Sequence, residues 1–130
     1  MSPGSPVNTL VVDDEEYFLE LIEEMLELGG HNSMLASSGE EALKILEEHW
    51  NQIDLIILDW KMPGMDGMAF LERMREKGYG NKVLISSAFQ DPRRHIDLDP
   101  FNVRGFIRKP YPPKDLLDVI QAVTSHQPSG

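Results

Sequence analysis

A chain of 130 residues with 41% hydrophobic content is long enough and apolar enough for one folded domain with its own core, which excludes wholesale disorder. The absence of cysteine excludes disulfides and thiol-ligated metals. No apolar run approaches the roughly 20 residues that cross a bilayer and no secretory signal opens the chain, so a cytoplasmic protein with no membrane partner is expected.

The net charge of −10 is unevenly placed. The first sixty residues hold 14 acids and one base, Lys44, and most of those acids read as solvated helix faces. Such a domain repels phosphate backbones, so direct nucleic-acid binding by it is not expected.

Met1 to Pro6 reads as a flexible tail, residues 7–126 as the folded domain, and residues 127–130 as a second tail. Thr9-Leu10-Val11-Val12 is a short strand that ends in Asp13, Asp14 and Glu15. From Glu16 to Leu28, the apolar residues Phe18, Leu21, Ile22, Met25 and Leu26 recur at helical spacing, and Gly29-Gly30 stops the helix. Ser33 to Ala36 is a weaker strand. Ser38-Gly39-Glu40-Glu41 starts a second helix whose buried face is Ala42, Leu43, Ile45 and Leu46, with Trp50 expected to pack at its end.

Leu55-Ile56-Ile57-Leu58 is an unbroken branched apolar run, closed by Asp59 and a Pro/Gly turn. That pattern marks a strand, Asp54 to Leu58, buried on both faces of a parallel sheet. Met68 to Lys77 is a third helix with Phe70, Leu71 and Met74 inward, ended by Gly78 and Gly80. Lys82 to Ser86 and Arg104 to Arg108 are two more strands, and Leu116, Val119, Ile120 and Val123 mark a last helix. Between those two strands, Pro92 and Pro100 leave room only for a brief helix near Pro92 to Ile96.

Strands alternating with helices through short connections predict an α/β fold: a doubly wound, five-stranded parallel sheet of order 2-1-3-4-5, flanked by helices, flavodoxin-like, with its fourth helix short or irregular. In that order the ends of strands one and three lie side by side, so Asp13, Asp14 and Asp59 should share one pocket at the carboxyl edge. Three adjacent carboxylates repel unless a proton or a cation joins them. Their hard oxygens favour Mg²⁺, with Mn²⁺ as the alternative. A carboxylate beside such an ion can attack phosphorus, and the transferred oxygens then need donors and positive charge. Ser87 and Lys109, after strands four and five, are candidates. Taken singly, Asp59 reads as a turn residue, Asp13-Asp14 as a helix cap, Ser87 as a loop hydroxyl and Lys109 as a solvated cation. Their arrival together at strand carboxyl ends favours the chemical reading.

The motifs Val11-Val12-Asp13-Asp14-Glu15, Leu58-Asp59-Trp60-Lys61-Met62-Pro63-Gly64-Met65-Asp66-Gly67, Ser87-Ala88 and Gly105-Phe106-Ile107-Arg108-Lys109-Pro110 resemble those of response-regulator receiver domains of two-component phosphorelays, over almost the whole chain. The resemblance implies that Asp59 is the phosphoacceptor. It implies that Asp14, Asp59 and the Trp60 main-chain carbonyl ligate Mg²⁺, with Asp13 acting through a water. It implies that Ser87 is a switch hydroxyl, Phe106 a switch aromatic and Lys109 the phosphoryl partner, and that Lys109-Pro110 is cis. Ser stands at 87 where Thr is commoner. Lys61 and Phe89 fall at positions that tune phosphoryl lifetime in such domains, and a Lys-Phe pair there is expected to shield the phosphoryl group.

By the same resemblance the domain is a signalling module, an enzyme only toward its own phosphorylation and dephosphorylation. Its partners are a histidine kinase or histidine phosphotransfer protein and an output domain or protein that the sequence does not identify. His31, His49, His95 and His126 read as surface residues, so the phosphohistidine must come from elsewhere. Three rivals are weaker. An aspartate-nucleophile phosphatase needs a second Asp where Lys61 stands. A flavin or nucleotide binder needs a phosphate-cradling loop where Asp13-Asp14-Glu15 stand. The third is a receiver-like interaction module without phosphoryl turnover.

Overall fold

The computed structural model describes residues 6–125, so the expected tails, Pro6 apart, lie outside the described residues, as does His126. Five parallel strands, β1 (Asn8–Val12), β2 (Asn32–Ala36), β3 (Leu55–Asp59), β4 (Lys82–Ser87) and β5 (Val103–Arg108), stand in the order β2-β1-β3-β4-β5. Four α-helices cover them: α1 (Glu16–Leu28), α2 (Gly39–His49), α3 (Gly67–Glu76) and α4 (Pro113–Thr124).

The pleat sorts the strand residues into two cores. Leu10, Val12, Ile56, Leu58, Val83 and Ile85 face α2 and α3, where they meet Leu46, Phe70, Leu71 and Met74. Val11, Leu55, Ile57, Leu84 and Ile107 face the other way, onto Ile22 and Leu26 of α1 and Leu116 and Ile120 of α4. Because both faces are covered, all five residues of β3 are buried, and this is why its sequence shows no alternation.

Helix starts follow from side-chain caps. Ser38 Oγ accepts the Glu41 N–H at 3.1 Å, and Asp66 Oδ1 accepts the Ala69 N–H at 2.9 Å. Gly67 lies against Trp60: a Cβ at Gly67 would stand 2.5 Å from the Trp60 ring and 3.0 Å from its Cα. That approach lets the Gly67 N–H donate to the Trp60 carbonyl at 3.0 Å, which ties the start of α3 to the end of β3.

Three expectations need correction or refinement. Trp50 does not pack into the core: it opens a 3₁₀ turn, Trp50–Gln52, and is 51% exposed. Its carbonyl, not its ring, has the structural part, accepting the Asn81 side-chain N–H at 2.8 Å. Within α1 it is Leu19 that is buried, with Ile22, Met25 and Leu26, whereas Phe18 and Leu21 are half-buried. The connection from β4 to β5 holds a single 3₁₀ turn, Pro92–Arg94, in place of a helix. Asp91 caps that turn and pairs with Arg93 at 2.7 Å, and Leu98, 4% exposed, pins the remainder to the core.

Candidate functional site

The carboxyl ends of β1 and β3 adjoin through the register Val12↔Leu58, which brings the next residues, Asp13 and Asp59, to one edge. Asp13, Asp14 and Asp59 each present a carboxylate oxygen within 4.8 Å of the others. Asp13 and Asp59 are buried while Asp14 is exposed, so the group opens to solvent on one side. None of the three serves as a cap. The residue before α1 is Glu15, which makes no side-chain cap bond, and Asp13 Oδ1 instead accepts the Glu15 N–H at 3.0 Å, which fixes its orientation. Asp59 is the last residue of β3, and its charged neighbours are side chains.

Lys109 reaches this group from the end of β5. Its Nζ lies 2.6 Å from Asp13 Oδ2 and 3.4 Å from Asp59 Oδ1. The Lys109 N–H donates to the Ser87 carbonyl at 2.8 Å, and the Lys109-Pro110 bond is cis. One cation among three carboxylates leaves an uncompensated negative charge. Burial, and then the charge of Asp13, push the Asp59 carboxyl up to about 7, against the opposing pull of Lys109. A site that costs its own carboxylate so much ionisation is suited to a hard divalent cation, and no histidine or cysteine competes for it there.

Ser87 is buried at the end of β4, and its Oγ accepts the Phe89 N–H at 3.1 Å. Phe106 is half-buried on β5 opposite Ile85, two residues before Ser87, so Phe106 and Ser87 share one sheet face. The Trp60 carbonyl accepts the Gly67 N–H at 3.0 Å. At the mouth, Lys61 Nζ stands 5.2 Å from the centroid of the Phe89 ring, and Phe89 is 57% exposed.

The structure adds three residues for which the sequence reading gives no part in the site. Tyr111 is buried with its hydroxyl 3.0 Å from Ser86 Oγ, and its ring meets Phe18 edge to face at 5.8 Å. The Phe18 ring in turn lies under the Lys109 ammonium, 4.3 Å from the ring centroid. A buried tyrosine needs a hydrogen-bond partner, which was the available signal for Tyr111. Phe18 is hidden by its helical spacing, which makes it look like an ordinary core residue. An apolar cavity lined by Leu71, Met74, Tyr79, Val83 and Phe101 lies at the opposite, amino-terminal edge of the sheet and has no part in the carboxylate group.

A sequence profile described as the response regulator receiver domain matches residues 9–121. Among curated proteins, the alkaline phosphatase synthesis transcriptional regulatory protein PhoP of Bacillus subtilis is 31% identical over 88% of this chain and 47% of its own length. The transcriptional regulatory protein CpxR of Escherichia coli is 29% identical over the same shares. The chain spans between 20% and 47% of the length of the curated relatives it matches. Among solved structures, a response regulator receiver domain protein from Clostridium thermocellum superposes with a TM-score of 0.80 at 32% identity, covering 91% of this chain and 94% of that one. CheY in a CheX–CheY–BeF3–Mg complex from Borrelia burgdorferi gives 0.82 at 30% identity, covering 92% and 90%. No helix among the described residues is long and apolar enough to cross a membrane. The chain therefore belongs to the response regulator receiver domain family of two-component signalling, in which a phosphoacceptor role is general.

Proposed function

We propose that this domain accepts a phosphoryl group on Asp59 from a phosphohistidine of a histidine kinase or a histidine phosphotransfer protein. The observation that carries the reading is the joint placement of Asp13, Asp14, Asp59 and Lys109 at one strand edge. A lone strand-end carboxylate would not need a buried lysine 3.4 Å away.

Asp59 Oδ attacks phosphorus as the bond from phosphorus to the donor imidazole nitrogen breaks. The electron pair returns to that nitrogen, and the product is an aspartyl phosphate. Asp59 must be ionised to attack, and its raised pKa marks how strongly the pocket resists ionisation without a cation. Asp13, Asp14 and Asp59 would hold Mg²⁺, with Mn²⁺ as a substitute. The Trp60 carbonyl could join only through its second lone pair, since the Gly67 N–H takes the first. When bound, the ion supplies positive charge to the transferring oxygens. The Borrelia burgdorferi relative, whose complex contains BeF3 and Mg, supports this assignment by its 30% identity to this chain.

Lys109, relieved of part of the carboxylate charge, moves its ammonium to a phosphoryl oxygen. Ser87, whose Oγ accepts the Phe89 N–H, turns to donate its own O–H to another phosphoryl oxygen, and Phe106, half-buried on the same face, follows into the space Ser87 leaves. The result is a population shift between two surfaces of one fold, read by an output domain or partner protein. The domain bounds expected from the sequence, 7–126, run one residue past those described, and a cytoplasmic setting fits the phosphodonor.

Replacement of Asp59 by Asn tests the assignment. Incubation with a small-molecule phosphodonor and Mg²⁺ should label the wild type with an acid-labile phosphoryl group and leave Asp59→Asn unlabelled. Equal labelling of both would overturn it. No labelling of the wild type by either a phosphodonor or a kinase would instead favour an interaction module without turnover.

A further inference from the structure

Lys109 has a neighbour that the carboxylates do not account for. On one side its ammonium meets Asp13 and Asp59, and on another it lies 4.3 Å from the centroid of the Phe18 ring. A cation over an aromatic face is held by the ring quadrupole, more strongly as water is removed. Water is largely removed here, since the Lys109 side chain is 11% exposed.

The ring is itself held in orientation. Tyr111 meets Phe18 with an interplanar angle of 80°, and the Tyr111 hydroxyl is fixed by Ser86 Oγ at 3.0 Å. Ser86 is in turn the β4 residue in register with Asp59. The series Ser86, Tyr111, Phe18, Lys109 thus begins beside the acceptor and returns to it, drawing on β4, the segment before α4, α1 and the end of β5. Phe18 is half-buried and packs at the border of the core that Leu19, Ile22, Met25 and Leu26 build, so one part of its ring serves packing while its face meets Lys109.

We propose that Phe18 is a positioning residue for phosphoryl acceptance: its face, oriented by Tyr111 and Ser86, holds the Lys109 ammonium beside Asp59 and keeps water from it. A leucine or methionine would fill the space but offer no π face. This inference rests on the phosphoacceptor reading, with Lys109 as the partner of the phosphoryl oxygens.

The test is calorimetric titration of the whole chain with beryllofluoride, a phosphoryl mimic, at saturating Mg²⁺, with Mg²⁺ alone titrated separately. Phe18→Leu should weaken beryllofluoride binding by about 3- to 10-fold without lowering Mg²⁺ affinity. Phe18→Trp should restore it. In a Lys109→Met background, Phe18→Leu should cause no further loss. A thermal melt checks folding, and Phe18→Met takes the place of Phe18→Leu in the same cycle if the leucine variant does not fold. Wild-type binding by Phe18→Leu, or an equal loss in the Lys109→Met background, would overturn the role of Phe18 and leave Asp59 untouched. A wild type that binds Mg²⁺ but no beryllofluoride would overturn both.

Discussion

Asp59 carries an electrostatic cost, and that cost has a direction. Its carboxyl is raised from 3.8 to about 7, so between those values the folded chain binds more protons than the unfolded one. The contribution of Asp59 to stability is therefore complete at low pH and is lost as pH rises through about 7. His31 acts oppositely. Its Nδ1 accepts the Val7 N–H at 3.0 Å and burial lowers its pKa from 6.5, so its contribution holds at high pH and is lost as pH falls below that value. Comparing wild type with Asp59→Asn at each pH cancels His31 and isolates Asp59. In metal-free buffer at about pH 8, Asp59→Asn should be more stable by about 1–3 kcal/mol in urea titrations. The gap should close toward about pH 5, and Mg²⁺ should close it at pH 8. A gap that widens on acidification would contradict the assigned charge state. At the mouth of the site, the Lys61–Phe89 contact makes a kinetic prediction. Lys61→Asn and Phe89→Ala should each speed loss of the phosphoryl group about two- to five-fold, followed as decay of the labelled protein. Unchanged lifetimes in both variants would remove the shielding role.

Among the elements, the connection from β4 to β5 departs most from a regular βα repeat. Buried Leu98 and Pro92 and half-buried Phe101 hold it to the molecule, while nearby Ile96 is 39% exposed. Leu98→Ala should cost about 2–4 kcal/mol in denaturant titrations, whereas Ile96→Ala should fall within about 0.5 kcal/mol of wild type. Gly67→Ala should also destabilise, by about 1–3 kcal/mol, because the added methyl has only the Trp60 ring and backbone to push against. Pro92 and Pro100 announced the missing helix, since each forbids a continuous ladder. Leu98 gave no such signal: it stands between Asp97 and Asp99, where no period singles it out. The five strands were legible to within a residue or two because an apolar run bounded by turn residues has few other readings. Asp13, Asp14, Asp59, Ser87 and Lys109 were legible as site candidates for a different reason: strand order alone brings strand ends together. Phe18, Ser86 and Tyr111 were not, because their part depends on ring orientation and a hydroxyl pair that no local pattern encodes. Trp50 was misread because a large apolar residue after a helix usually packs inward, while here the 3₁₀ turn carries its ring outward.

At the scale of the whole molecule, sheet order also divides the charge. β2, β1 and β3 come from the first sixty residues, with their 14 acids and one base, and form one end of the strand order. β4 and β5 form the other end and come from the later seventy residues, which hold 11 of the 12 bases. The carboxylate group sits near this divide, with Asp13 and Asp59 from the acidic half and Lys109 from the basic half. One fold thereby brings together Asp59, the residues suited to a cation and the compensating lysine from segments as far apart as 96 residues in sequence. On the proposed function, this edge takes a phosphoryl group on one residue, Asp59. Borohydride reduction of the phosphorylated chain, followed by peptide mass spectrometry, tests it most directly, because reduction of an acyl phosphate leaves a stable mark on the residue that bore it. The mark should fall on Asp59 alone, appear only with Mg²⁺ or Mn²⁺, and vanish when the cation is chelated. A mark on Asp13, Asp14 or any other residue of the wild type, or one that forms equally well with the cation chelated, would contradict it.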